Sequence, residues 1–245
     1  TNKFFIKGSE DYLVAGRRLG VLFVAASLAA NNVGGGSSVG VAQRAFGDQW
    51  GMSAGWYVLA AAIGVIPLAY FAPYIRKAVA ITIPEIVERR FGLTAGLITA
   101  VLNATALFTL TASQILASGT IISALVGLDL SVAIIIAALI VIVYTVMGGL
   151  YADALSDLIQ WFVIFFGLLI SVPFVISGAG GWSAITEALP VGHLSLTKVG
   201  FTQIFSLIIM YFVTFLSGPE IISRFNAAED EKTARKSALV GAVLM

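Results

Sequence analysis

The sequence contains no cysteine, which excludes a disulfide framework and a thiol-ligated metal site. Its one histidine, His193, sits in a loop-like stretch without an obvious partner, which argues against a ligand role. Charge is also scarce. Only 11% of the 245 residues are Asp, Glu, Lys or Arg, where a soluble domain carries about a quarter. The net charge of +1 gives no electrostatic footprint for a nucleic-acid partner. The glycine-rich run "VGGGSSVG" lacks the lysine of a phosphate loop and does not follow a strand. No hydrolase triad, inserted soluble domain or low-complexity tract is visible. What the chain has is apolar residues: 59% of the total, with a mean hydropathy of +0.98.

These residues form long runs at roughly 19–46, 53–75, 95–128, 131–147, 154–177, 201–223 and 237–245. A membrane-spanning helix needs about 20 apolar residues. The runs lack strand-like alternation, and lipid forbids open sheet edges, so the expected class is an all-α membrane protein. Six spans and the start of a seventh are expected. The third run is long for one span, which implies tilt or projection from the bilayer. With the N-terminal segment cytoplasmic, of the 14 Lys and Arg residues only Arg44 and Lys198 fall outside, a strong positive-inside pattern. Trp50, Trp56 and Trp182 then lie near the outer interface. The opening "TNKFFIKGSEDYLVAGRR" mixes charges and is not a signal peptide. Both ends read as points within a longer chain.

Two segments between spans carry their own signals. In "ITIPEIVERRFG" (81–92), Thr82 precedes Pro84 and Glu85, predicting a capped short helix that ends at Gly92. In "NAAEDEKTARKSA" (226–238), acids precede bases, as on a surface helix. The stretch 177–200 is the longest outer connection.

The first and sixth runs are interrupted. "AANNVGGGSSVG" (29–40) places Asn31, Asn32, Gly34, Gly35 and Gly36 inside an apolar run. Each glycine costs a helix about 1 kcal/mol relative to alanine, and asparagine side chains compete for backbone hydrogen bonds. An unwound stretch survives in lipid only when buried or lining a cavity. There, freed carbonyls can coordinate a cation, and an open helix N-terminus can hold an anionic group. The sixth run carries Ser217-Gly218-Pro219, where proline removes a backbone donor. Paired breaks in antiparallel halves mark an inverted-repeat transporter. Close helix packing through small residues is the competing explanation for the glycines.

Several polar residues fall within the runs. Asp157 lies about one turn into the fifth, a functional candidate by its cost in lipid, although first-turn helix electrostatics also favours an acid there. Asp153 is a candidate cap for the same helix, and Gln160 a polar neighbour. Glu220 follows Pro219 and would open the second half of the broken helix, where the helix dipole again favours an acid. Asn103, Ser113 and Gln114 suit either a cavity wall or interhelical hydrogen bonding.

The stretches "EDYLVAGRRLG", "SLAANNVGGGSSVG", "ITIPEIVERRFG", "ASGTIISALVGLD", "YTVMGGLYADALSDLIQ" and "SGPEIISRFNAAEDEKTARKSA" resemble, in order, those of the sodium/solute symporters, which include bacterial sodium–proline and sodium–galactose carriers. The resemblance implies a leucine-transporter-type inverted-repeat helical bundle, present in part: a single transmembrane unit over 1–245, with the first five-helix repeat at 19–177 and the start of the second inverted repeat at 201–245. It implies a further helix before Thr1 and several after Met245.

By the same resemblance, Ala30 and Val33 match positions whose carbonyls bind the coupling sodium ion, and Ser156 with Asp157 matches a pair on its inner path. The serines that complete that site would lie beyond Met245. Asn32 stands where proline carriers have aspartate, and Gly34 where they have serine. Ser37 stands where the galactose carrier has the glutamine that touches sugar. Neither proline nor a sugar is therefore the expected solute. Asn32, Gly36, Ser37, Gly218 and Glu220 are the candidate solute contacts.

The expected function is sodium-coupled transport of a small organic solute in the cell membrane, expected to be a prokaryotic one, with sodium as coupling ion and no enzymatic activity. The alternative is a membrane solute-sensing region fused to a sensor kinase. A channel fits less well, because the breaks are off-centre and no charged pore ring is present.

Overall fold

A computed structural model of the protein describes residues 13–34, 36–78 and 82–245. Lys3, Lys7 and most of the segment read as cytoplasmic lie outside these residues, as do Gly35 in the first break and Ile81. Among the described residues the chain is helical and forms no β-strand, only an isolated bridge between Leu19 and Ala228.

The first expected span is α1 (Val21–Asn32), an interruption, a wide π-helical turn at Gly36–Gly40, and α2 (Val41–Phe46). The second is α3 (Trp56–Val65) and α4 (Leu68–Lys77), entered through a tight 3-10 turn at Gly51–Gly55. Its two parts bend by 53° at Ile66-Pro67. The unbroken apolar run at 53–75 hides that bend in the sequence. Pro67 has no N–H to continue the hydrogen-bond ladder, and its ring crowds the preceding turn.

α5 (Ile83–Phe91) forms as its signals predict. Thr82 Oγ1 accepts from the Glu85 N–H at 3.4 Å, and Gly92 ends the helix at φ +88°. α6 (Leu93–Val126) is 34 residues long, which is more than enough to cross a bilayer. α7 (Leu130–Gly178) contains both the fourth and fifth expected runs, as the apolar stretches Leu130–Val143 and Asp153–Gly178. The helix continues past Gly148-Gly149, where the spacing of the fourth and fifth runs predicts that the chain turns back. Glycine lacks only a side chain, so it does not end the ladder as proline would.

A short helix α8 (Trp182–Ala188) and a looped stretch lead to α9 (Phe201–Ser217). Gly218 is extended (φ −76°, ψ 118°), and α10 (Pro219–Ala227) then starts with proline in its first turn, bent 58° from α9. This is the expected second break. α11 (Glu231–Leu244) begins earlier than the seventh run, capped by Asp230, whose carboxylate accepts from the Thr233 N–H at 2.6 Å. It is no free surface helix. Thr233, Ala234, Ser237, Ala238 and Gly241 are buried, and Gly241 faces Leu28 of α1.

The core sits among α1, α3, α4, α9, α10 and α11, around Val24, Leu28, Val65, Leu68, Phe215, Ile221 and Phe225. Close approach is built in: a Cβ on Gly64 of α3 would stand 2.9 Å from the Phe212 backbone nitrogen of α9. α6 and α7 pack on each other, with Gly119 against Ile134, and present large apolar side chains outward. The inner part of α7 meets α1, and this contact carries the site.

Candidate functional site

The first break is held by its own side chains. α1 ends at Asn32, and Val33 leaves helical geometry (φ −92°, ψ 85°). Ser37 Oγ accepts from the Gly34 N–H at 2.8 Å and donates to the Asn32 carbonyl at 2.8 Å. Ser38 Oγ donates to the Gly34 carbonyl at 2.8 Å. The two serines thus satisfy backbone groups that the interruption frees, which lipid would leave unpaired. The Val33 N–H donates to the Ala30 carbonyl at 3.0 Å, which leaves that oxygen a second lone pair. Gln114 of α6 lies over the break: a Cβ on Gly34 would stand 2.5 Å from its Nε2.

Facing this break is a buried charged cluster. Asp157 and Arg224 are each 8% exposed, and Ser27 is fully buried. Ser27 Oγ donates to Asp157 Oδ2 and accepts from Arg224 Nε at 3.0 Å. Arg224 Nη2 donates to Asp153 Oδ2 at 2.7 Å and to Asp157 Oδ2 at 3.2 Å. One guanidinium therefore ties α10 to two carboxylates on successive turns of α7, and through Ser27 to α1. Buried charges persist only when paired and hydrogen-bonded, and this cluster meets that condition.

A cavity of about 650 Å³ lies between the break and the cluster. Its wall holds Ala30, Asn32, Val33, Ser37, Asp157 and Glu220 of the sequence candidates, together with Gln114, Gln160 and Tyr211. The volume is that of a small-molecule site. Ser156 does not figure in the wall, and its hydroxyl accepts from Gln160 Nε2 at 2.9 Å. Gly218 is buried beneath the wall, close under the Glu220 carboxylate. Gly36 opens the π-helical turn.

Sequence reasoning missed Ser27 and Arg224, and gave Asp153 only a capping role. Arg224 was counted among the cytoplasmic positive charges. Its signal was present: it falls three residues after Ile221 and one before Phe225, on the face that buries both. Ser27 carried no signal beyond an apolar setting.

His193 is also buried, and its Nδ1 has no hydrogen-bond partner among the described residues. Its backbone matters more. The Met52 N–H donates to the His193 carbonyl at 2.8 Å, Ser53 Oγ to the Ser195 carbonyl at 2.8 Å, and Trp56 Nε1 to the Leu196 carbonyl at 2.7 Å. These bonds clasp the stretch before α9 onto the entrance of α3. Gly51 is required there, since a Cβ would stand 2.0 Å from the His193 oxygen and φ is +58°.

The model of the Sodium:solute symporter family matches residues 12–245. The chain is 31% identical over 207 residues to the human high affinity choline transporter 1, covering 80% of this chain and 31% of that protein. It is 32% identical over 193 residues to the rabbit (Oryctolagus cuniculus) sodium/glucose cotransporter 1, covering 76% of this chain and 28% of that one. To the osmoregulated proline transporter OpuE of Bacillus subtilis it is 29% identical over 245 residues, covering 95% of this chain and 49% of that one. The chain thus spans between 28% and 49% of the length of these three relatives.

Proposed function

The chain belongs to the sodium:solute symporter family, and from that premise we propose that the intact protein is a sodium-coupled symporter of a small organic solute, working by alternating access. Its family and its apolar helices make it a multi-pass membrane protein. The proposal includes a prokaryotic cell membrane with the N-terminal segment cytoplasmic, and the positive-inside pattern of the sequence supports that orientation.

One observation carries the reading. Ala30 and Val33 from the first break, Glu220 from the second, and Asp157 from α7 share one cavity wall although they are far apart in sequence. Sodium is a hard cation suited to oxygen ligands. The carbonyls of Ala30 and Val33 would hold it first, with Asp157 and its neighbour Ser156 on the inward path. Asn32, Gly36, Ser37, Gly218 and Glu220 would meet the solute or shape its site. Ser37 would act mainly by holding the break in shape, since its hydroxyl is already engaged. The relatives are named for choline, glucose and proline, so kinship supports coupled transport and leaves the solute open.

Driving force is adequate. One inward charge at 100 mV supplies about 2.3 kcal/mol, and a tenfold sodium gradient adds about 1.4 kcal/mol. Together they sustain roughly 500-fold accumulation of a neutral solute. The test is uptake by the intact protein in proteoliposomes. Expected is accumulation that requires an inward sodium gradient. Uptake that ignores sodium and follows a pH gradient would overturn the proposal.

A further inference from the structure

Three carboxylates, Asp153, Asp157 and Glu220, face the cavity, against one guanidinium, Arg224. Arg224 is committed to the first two by the contacts at 2.7 and 3.2 Å. Glu220 takes part in no ion pair or side-chain hydrogen bond among the described residues. Its carboxylate folds back over the second break, 2.7 Å from where a Cβ on Gly218 would stand. The N-terminus of α10 offsets part of this charge, about half an elementary charge at most. One sodium ion in the cavity would balance the net charge of the Arg224 cluster and leave Glu220 unbalanced. An unpaired carboxylate in a cavity within the membrane is costly. The same wall holds Tyr211 and Phe215, one helical turn apart, with ring centroids 5.6 Å apart and planes tilted by 41°. Phe215 is mostly buried beside Tyr211, so Tyr211 is the ring that shares the wall with Glu220, and an aromatic ring and a carboxylate in one cavity are chemistry that recognises a cation.

We propose that the solute carried through this cavity bears a net positive charge, as an amine or quaternary ammonium group, with Glu220 as its counterion and Tyr211 as its aromatic neighbour. The proposal rests on the reading of this cavity as the solute site. A neutral or anionic solute would leave the Glu220 charge uncompensated, whereas a cation neutralises it on binding. A cationic solute also adds its own charge to that of sodium, so the membrane potential drives both.

The test uses the full-length protein in proteoliposomes with labelled probes of three charge classes: the cations choline, tetramethylammonium and ethanolamine; the net-neutral glucose, urea and proline; and the anion acetate. Expected is sodium-driven uptake among the cations. Glu220→Gln should lower that uptake at least tenfold at low probe concentration, and Glu220→Asp should restore part of it. Thermal unfolding of each variant separates loss of fold from loss of charge recognition, because a capping role alone would lower stability without changing the order of the probes. Sodium-driven uptake confined to neutral or anionic probes, or cation uptake indifferent to Glu220→Gln, would overturn the proposal. Cation uptake that is sensitive to Glu220 but persists when potassium replaces sodium would instead overturn sodium coupling and leave the charge inference standing.

Discussion

At the residue scale, the cavity depends on Arg224. Removing one partner of a buried charge cluster costs about 3–5 kcal/mol, because the remaining charges stay buried and uncompensated. Arg224→Ala leaves the buried Asp157 unpaired beside a partly exposed Asp153, so a penalty at or below the lower end of that range is expected as a lower unfolding midpoint in detergent. Asp157→Asn keeps the Asp153–Arg224 contact and should cost less, while lowering apparent sodium affinity. The double variant Asp157→Asn/Arg224→Gln should be less destabilised than the sum of the single changes, since each removes the other's unpaired charge. Strict additivity would show that the contacts at 2.7 and 3.2 Å do not couple. Asp157 was legible in the sequence because a lone acid within an apolar run has one obvious cost. Arg224 was not, because a base near the end of an apolar run also satisfies the positive-inside rule. Only the packing of α10 separates those two meanings.

At the element scale, the interruptions were legible wherever backbone chemistry forces them. Gly34 to Gly36 and Ser217 to Pro219 mark breaks that the structure shows. Thr82 and Gly92 bound α5 as expected. Pro67 carried the same chemistry and was overlooked because the apolar run continued through it. The burial of α11 was hidden because its acids and bases mask the small-residue face of Ala234, Ala238 and Gly241.

Two predictions belong to this scale. Gly64→Val puts a branched side chain against the α9 backbone, where even a Cβ lies 2.9 Å from the Phe212 nitrogen. Overpacking of this kind costs about 1–3 kcal/mol. It should appear as reduced thermal stability, and Gly64→Ala should be milder. The second concerns Asp230 at the start of α11. Its carboxyl is held below the ordinary carboxylate range, chiefly by the Thr233 backbone N–H, then by the Thr233 hydroxyl. A depressed folded value means that its contribution is present above the unfolded pKa and fades as pH falls through the folded one. Hydrogen exchange at the first turn of α11 should therefore quicken, beyond the intrinsic pH effect, as pH drops below the usual carboxylate range. In Asp230→Asn that extra pH response should vanish.

At the scale of the whole molecule, the helices fall into two groups. α1, α3, α4, α9, α10 and α11 share the core, and α6 packs with α7, which reaches that core through Ala154 and Leu150. At one end, the Leu19 N–H donates to the Ala227 carbonyl at 3.0 Å, the Glu229 N–H to the Leu19 carbonyl at 3.1 Å, and Arg76 Nε to the Ala228 carbonyl at 2.7 Å. These bonds tie α1, α4 and α10 together. The clasp between residues 193–196 and 52–56 ties α3 to the stretch before α9. Both breaks lie in the first group and Asp157 in the second, so the cavity forms where the groups meet.

Sodium at that meeting point would order the first break. The most direct measurement is amide hydrogen exchange across residues 31–38 of the intact protein in lipid nanodiscs, in sodium and then in potassium at equal ionic strength. Exchange at these amides should slow markedly in sodium while the flanking parts of α1 change little. Equal exchange in the two salts, in a preparation that still takes up solute, would contradict an ion site at this break.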